Sequence, residues 1–203
     1  MKKKIAITGK TSRVAKTLKK YFFGPNIIYL EKKKFDILNF KQINNFLKIN
    51  KIKTLVHMAA LSRPMKIHKE NINKSIEINI IGTANIVRAC KNNNTKLIFF
   101  STNYVYPGKK GPYNENDNLN PINNYGWSKL GGESAVQMYK NALILRLCMT
   151  EKPFVHQYAF SNVTTNFMFH DDFAKVFHKL INKKGVINVG GKRQTVFNFV
   201  KSH

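Results

Sequence analysis

Apolar positions fall into two alternating rhythms over the first 147 residues. Short continuous apolar runs bounded by turn formers, at 4–8, 27–30, 54–59, 96–101 and 142–147, predict strands buried on both faces. Between them apolar residues recur at three- and four-residue spacing, as at Phe40, Ile43 and Phe46 or Leu47, and predict helices over 13–23, 40–50, 72–92 and 125–139. Strands that alternate with helices are joined by right-handed crossovers, which places them in a parallel sheet covered on both sides. The pattern therefore predicts an α/β fold, a doubly wound, Rossmann-like parallel sheet whose ligands sit beyond the carboxyl ends of the strands.

Two stretches break the rhythm. The polar segment PGKKGPYNENDNLNPINN, between Ser101 and Tyr125, is long for a loop inside a compact domain, and such loops are functional or disordered. After Leu147 the alternation weakens: 150–169 has no clear period, 170–182 reads as helical, and GVINVGG reads as a short strand with its turn. The expected organisation is a nucleotide-binding domain over 1–147 and an abbreviated C-terminal substrate lobe over 148–203, partly packed on the first. No apolar run approaches the roughly 20 residues that span a bilayer, so no membrane partner is expected. The N-terminal lysines precede an apolar stretch broken by Gly9 and Lys10 without a small-residue cleavage site, which reads as a retained first strand.

Charge changes the picture less than its size suggests. The formal net charge is +25, from 35 Lys+Arg against 10 Asp+Glu, and such an excess raises nucleic acid as a partner. It is mostly lysine, scattered among Asn, Ile and Phe as an AT-rich coding sequence supplies them. No basic helix, aromatic RNA-binding strand or zinc finger accompanies it, so no specific nucleic-acid partner is expected. Cys90 and Cys148 lie far apart and outside any C-x-x-C pattern, which suits a reducing cytoplasm.

The chemistry begins at ITGKTSRVAK. A triphosphate-binding loop requires glycine five residues before the Gly of Gly-Lys-Thr, and Lys4 stands there, so that reading fails on spacing. The dinucleotide pattern reads Gly9, Ser12, Ala15, with one glycine kept and two small residues that allow helix capping and close packing. An ordinary strand-to-helix turn fits this segment equally well. Further on, YGWSK sets Tyr125 and Lys129 four apart on one helix face. An ammonium beside a phenol lowers its pKa from about 10 and makes it a usable proton donor near neutrality. Upstream, the strand in FFSTNYVYPG ends at Ser101 and Thr102 and delivers a hydroxyl to the same sheet edge.

In order and spacing these elements resemble the extended short-chain dehydrogenase/reductase family of nucleotide-sugar enzymes. The resemblance runs through ITGKTSRVAK, FDILNF, VHMAAL, EINIIGTANIVRAC, FFSTNYVYPG, YGWSKLGGE, LILRL, FMFHDDFAKVF and GVINVGG, and STNYVYPG and YGWSKLGGE are most similar to the dTDP-4-dehydrorhamnose reductase branch. It implies that Tyr125 protonates a carbonyl oxygen as hydride arrives, that Thr102 hydrogen-bonds that oxygen, and that Lys129 holds the nicotinamide ribose and tunes Tyr125. Asn79 would support the lysine through water. Thr8, Gly9, Ser12, Arg13 and Val14 would line the pyrophosphate loop, Asp36 and Ile37 would lie near adenine, and Ala59, Ala60 and Leu61 along the cofactor. Glu31, nineteen residues after Ser12, is placed to bind ribose hydroxyls and favour NAD. Lys32, Lys33 and Lys34 follow it and, with Arg13, tilt the expectation to NADP, although a solvated turn explains those lysines equally well.

The same resemblance narrows the reaction. Sugar dehydratases of the family carry an Asp-Glu pair after the catalytic threonine; Asn103 and Tyr104 stand here, which cannot move protons in that way. The dual epimerase-reductases carry a cysteine at the position of Tyr104. What remains is reduction of a 4-keto nucleotide sugar, or 4-epimerisation, with Asn103, Tyr104 and Arg146 as substrate contacts. Family members carry a larger substrate lobe than 148–169 provides. Arg146, His156 and His170 either meet a nucleotide diphosphate or serve structure, as a strand end and a helix cap. His170, Asp171 and Asp172 are adjacent and do not converge on one ion, so no metal is expected. A dinucleotide-binding regulatory subunit, similar to that of methionine adenosyltransferase, is the alternative from another class. The resemblance also implies a homodimer through the Tyr-x-x-x-Lys helix and its neighbour.

Overall fold

The structure is a computed structural model that describes residues 3–109 and 111–202; Met1 and Lys2, where the chain was read for a leader, Lys110 of the polar segment and His203 lie outside the described residues. Strands β1 (Ile5–Ile7), β2 (Ile27–Tyr29), β3 (Thr54–His57), β4 (Lys96–Thr102) and β5 (Ala142–Leu147) are the five expected from the apolar runs. The described residues also form β6 (Met149–Thr150), β7 (Thr164–Thr165), β8 (Met168–Phe169), β9 (Gly185–Val189) and β10 (Gln194–Thr195). The main sheet has the order β2-β1-β3-β4-β5-β9, every pair parallel. The last of these strands comes from beyond residue 147, so the C-terminal segment contributes to the main sheet as well as to two small two-stranded sheets beside it.

Successive residues of each central strand go to opposite cores. Ala6, Leu55, Leu97, Phe99 and Ile144 face one cluster with Ile43, Leu47, Ile86 and Val136, while Ile7, Val56, Ile98, Phe100, Leu143 and Leu145 face another with Leu18, Phe173 and Phe177. That is why the strands read as unbroken apolar runs. The first layer is built from α2 (Phe40–Ile49), α5 (Gly82–Asn92) and α6 (Asn124–Gln137), the second from α1 (Arg13–Tyr21) and α7 (His170–Val176). Helix α1, nine residues long, is too short to be stable alone in water and is held by burying Ala15 and Leu18.

The helix expected over 72–92 is interrupted. Short helices α3 (Ile67–Glu70) and α4 (Ile72–Ile76) lead into a π-helical turn, Glu77–Ile81, before α5 begins at Gly82. Such turns arise where one extra residue is accommodated, often at functional sites. Here the buried Asn79 sits at its centre. A last helix, α8 (Val196–Lys201), closes the described chain. No helix among the described residues is long and apolar enough to cross a membrane.

The polar segment after β4 is tied down. Arg146, Asn188 and Tyr106 hold it: the Asn188 N–H donates to Glu115 Oε1 at 2.8 Å, its side-chain amide to the Tyr113 carbonyl at 3.2 Å, and Tyr106 stacks on Tyr113 with ring centres 4.9 Å apart.

Candidate active site

The order of strands reverses between β1 and β3, since β2 lies to one side of β1 and the later strands of the main sheet to the other. A crevice opens at the carboxyl ends of strands at such a switch point. Its floor is a clamp around Thr8, whose hydroxyl oxygen accepts the N–H groups of Met58 and Ala59 at 3.1 and 3.0 Å and lies 3.0 Å from His57 Nδ1. With both lone pairs occupied the hydroxyl donates to Nδ1, which puts the imidazole proton on Nε2, 3.2 Å from Thr83 Oγ1. Burial, helped by the charge of Lys129, pushes His57 down to about 3, so it stays neutral. The hydroxyl of Thr8, a residue expected to line the loop, is thus a structural tie between strands.

Gly9 follows with φ +76°, and a Cβ there would lie 2.9 Å from the Ala59 nitrogen, so both conformation and space require glycine. Ser12 caps α1 by accepting the Ala15 N–H at 3.1 Å. Arg13 and Val14 supply the first two amides of the helix, which have no intrahelical acceptor and favour an anion. The Val14 side chain itself packs on the second core cluster. Ala15 is fully buried, the role that close packing asked of the third small residue.

Across the crevice, Asp36 Oδ1 accepts the Leu38 N–H at 3.0 Å, and the carbonyls of Ile37 and Leu38 accept from Asn85 on α5. The Ile37 side chain packs against Gly82. Glu31 is engaged by an ion pair with Lys10, which holds its carboxyl below the usual range with further help from Lys34. Ala59, Ala60 and Leu61 line the exit of β3, half-buried. Asn79 pins this stretch, accepting the Leu61 N–H at 2.8 Å and donating to the Leu61 carbonyl and to Ser128 Oγ, both at 2.9 Å. Ser128 Oγ donates in turn to the Tyr125 carbonyl at 2.8 Å, so one network joins the β3 exit to helix α6. The direct contacts of Asn79 are therefore with Leu61 and Ser128 rather than with Lys129.

Thr102 ends β4, buried, beside Tyr125 near the start of α6. The helix approaches closely because Gly126 and Gly132 carry no side chain: a Cβ at Gly132 would lie 2.4 Å from the Asn79 carbonyl. Tyr125 is flanked by the rings of His68 and Tyr104 at 5.2 and 5.8 Å. Burial pushes its phenol up to about 12, only partly offset by Thr102. This corrects the expectation that Lys129 lowers it. Lys129 shares the helix face but turns inward, 3% exposed, with its ammonium 4.2 Å over the Phe99 ring, and burial takes it down to about 7.

Arg146 is also corrected. It is 3% exposed and donates to Glu133 Oε1 through Nε and Nη2 at 3.0 and 2.7 Å, and through Nη1 to the Tyr106 hydroxyl and the Glu115 carbonyl. Four of its five N–H groups are engaged within the protein, and its work is to anchor the polar segment. Asn103 donates to Cys148 Sγ at 3.3 Å, while Tyr104, 45% exposed, packs edge-on against Tyr125. His156 lines a cleft of about 410 Å³ above the dinucleotide loop together with Arg13 and Arg63. His170 begins α7 beneath it, where burial lowers its pKa and Glu151 opposes that shift.

Sequence reasoning missed His57, His68, Ser128, Glu133, Arg63 and Glu151. Ser128 and Glu133 lie inside the quoted YGWSKLGGE, three and eight residues after Tyr125, and helical spacing places Glu133 on the buried face with Lys129. Glu151 and Arg63 carry no local signal, since their partners are 138 and 88 residues away from Glu151.

Comparison with known proteins agrees with this geometry. The family described as the RmlD substrate binding domain matches residues 3–180. The fold superposes with a TM-score of 0.88 on dTDP-4-dehydrorhamnose reductase from Bacillus anthracis, solved with NADP, at 25% identity over 99% of this chain and 79% of that one. A dTDP-4-dehydrorhamnose reductase from Mycolicibacterium smegmatis is 28% identical over 151 residues, 72% of this chain and 45% of that protein. Methionine adenosyltransferase 2 subunit beta of Danio rerio is 35% identical over 94 residues, 46% of this chain. The chain spans under half the length of these two curated relatives, 28% in the latter case. With a match over most of its length, the chain belongs to the RmlD substrate-binding-domain family.

Proposed function

We propose that the protein reduces a 4-keto nucleotide sugar with a nicotinamide dinucleotide, in the manner of a dTDP-4-dehydrorhamnose reductase. The observation that carries this reading is the convergence of Thr102, at the end of β4, and Tyr125 at the edge of the β1/β3 crevice, with Lys129 one helical turn on. The crevice suits a dinucleotide: a positive-φ glycine, a capped helix start and two unpaired leading amides meet at the switch point.

A bound dinucleotide supplies the hydride. Tyr125 gives its phenolic proton to the carbonyl oxygen, which becomes the hydroxyl of the product, and Thr102 hydrogen-bonds the same oxygen. Lys129 holds the ribose, and solvent restores the proton to the phenolate. NADP is favoured over NAD, because the charge of Glu31 is already offset by Lys10 beside a run of three lysines. Asn103 and Tyr104 border the sugar, and residues 148–169 with 190–202 form the substrate lobe. Two free, buried thiols, Cys90 and Cys148, suit the cytoplasm. Exposed Ile76 at the end of α4, Ile81 in the π-helical turn and Trp127 on α6 support a homodimer.

A second reading is favoured by the stretch shared with the methionine adenosyltransferase subunit: a dinucleotide-binding subunit without turnover. Titration with NADPH and NADH by nicotinamide fluorescence, followed by a dTDP-4-keto-6-deoxy sugar, separates the two. Loss of the reduced-cofactor signal supports the reductase, and Tyr125→Phe should cut that rate by about 10²–10⁴-fold with binding kept. A wild type that binds the dinucleotide and turns over no keto-sugar nucleotide removes the enzyme reading.

A further inference from the structure

Above the dinucleotide loop three segments meet on one carboxylate. Arg13, the first residue of α1, donates from Nη1 to both oxygens of Glu151 at 2.6 and 2.7 Å. Arg63, in the segment after β3, donates to Oε1 at 2.9 Å. Glu151 follows β6 directly, and its side chain is 17% exposed, against 61% for Arg13 and 46% for Arg63. All three line the cleft of about 410 Å³, beside the loops that leave the carboxyl ends of β1 and β3.

Two guanidiniums converging on one anion are a donor set matched to phosphate as much as to carboxylate. Nothing in the packing of the two arginines requires the pair: each is solvent-exposed over much of its length, and ion pairs of that kind hold weakly. A diphosphate carries more charge and more acceptor oxygens than the carboxylate it would replace. The glutamate is better enclosed than its partners and comes from the C-terminal segment, so it is brought to the loop by the fold.

We propose that Arg13 and Arg63 form a clamp for the diphosphate of a nucleotide ligand, and that Glu151 is a built-in competitor seated in the clamp until that ligand displaces it. The identity of the ligand rests on the function proposed above, whose dinucleotide and nucleotide sugar both carry a diphosphate. The clamp then sets affinity: the protein binds its nucleotide more weakly than its basic cleft allows, and releases it more readily.

Calorimetry on the full chain tests this with inorganic pyrophosphate, NADPH and dTDP as separate probes. Glu151→Gln keeps the shape of the side chain and removes its charge. It should tighten pyrophosphate and one of the two nucleotides by about tenfold, the order of one charge-assisted hydrogen bond. Adding Arg63→Ala should erase that gain in a double-mutant cycle. The nucleotide that responds, NADPH or dTDP, identifies whose diphosphate the clamp takes. If Glu151→Gln leaves all three probes within twofold of the wild type, the competitor is refuted. If pyrophosphate tightens while the wild type and the variant bind neither nucleotide, the clamp stands and the dinucleotide reading falls. Glu151→Ser, with circular dichroism of both variants, guards against a folding defect.

Discussion

Lys129 carries its ammonium 4.2 Å from the centre of the Phe99 ring, on the inward side of the helix that presents Tyr125. A spacing of four brought the two side chains to one face, but burial then separated their fates. The phenol is pushed up to about 12 and the ammonium down to about 7, so without a dinucleotide each prefers its neutral form more strongly than in water.

The lysine therefore makes stability depend on pH. Between about 7 and 10.5 the unfolded chain binds a proton at Lys129 that the folded chain does not, so this group's contribution to stability rises with pH through that window. Below it the whole penalty of burying a charge is present. Lys129→Met should melt above the wild type at about pH 6.5, and the gap should shrink toward about pH 9.5. Thermal melts of the two proteins at both values check this; a gap independent of pH would show that the ammonium is not desolvated.

Thr8 binds β1 to β3 with one hydroxyl, which takes two amides and caps an imidazole. Thr8→Val keeps the shape and leaves all three buried groups without a partner. Each such orphan costs about 1–3 kcal/mol, so urea unfolding should register a loss of at least about 2 kcal/mol. Thr8→Ser, which keeps the hydroxyl, should lose much less. Equal losses in the two variants would mean that the methyl, and not the hydroxyl, holds the strands.

Both residues were visible in the sequence, though not their work. Five strands came from apolar runs because both faces of the sheet are buried, Gly9 and Tyr125 came from spacing along single elements, and Thr102 from the end of a strand together with the family resemblance. What stayed hidden depends on partners far apart in the chain. Arg146 read as a substrate contact because its ion pair with Glu133 crosses from a strand to a helix, and the π-helical turn at Asn79 has no signature in the periodicity of EINIIGT. The strands β6, β7, β8 and β10 are two residues long, too short for any period to show.

The Arg146–Glu133 pair is nearly fully buried, with side-chain exposures of 2% and 0%. Removing one partner leaves a buried charge, which costs about 3–5 kcal/mol. Arg146→Met should show that loss in denaturant unfolding and expose residues 113–117, which Arg146 helps to hold through the Glu115 carbonyl, to limited proteolysis. Arg146→Met with Glu133→Leu should recover part of it. A single variant that folds with wild-type stability and only raises KM would restore Arg146 to the substrate site.

Two adjacent glycines of α6 should respond in opposite senses. At Gly132 an added Cβ would lie 2.4 Å from the Asn79 carbonyl, which is backbone of the π-helical turn and cannot swing away. At Gly131 the nearest atom, at 2.7 Å, is Cδ1 of Ile80, the end of a flexible side chain. Alanine gains about 1 kcal/mol over glycine in a helix interior, while overpacking against a fixed neighbour costs about 1–3 kcal/mol. Gly131→Ala should therefore be neutral or stabilising by up to about 1 kcal/mol, and Gly132→Ala destabilising. Because Asn79 also holds Leu61 and Ser128, Gly132→Ala should weaken dinucleotide binding as well, which Gly131→Ala should not. Urea unfolding and a fluorescence titration on both variants decide it: equal stability and equal affinity would mean that α6 can move off the turn, and that its glycines do not set the position of Tyr125.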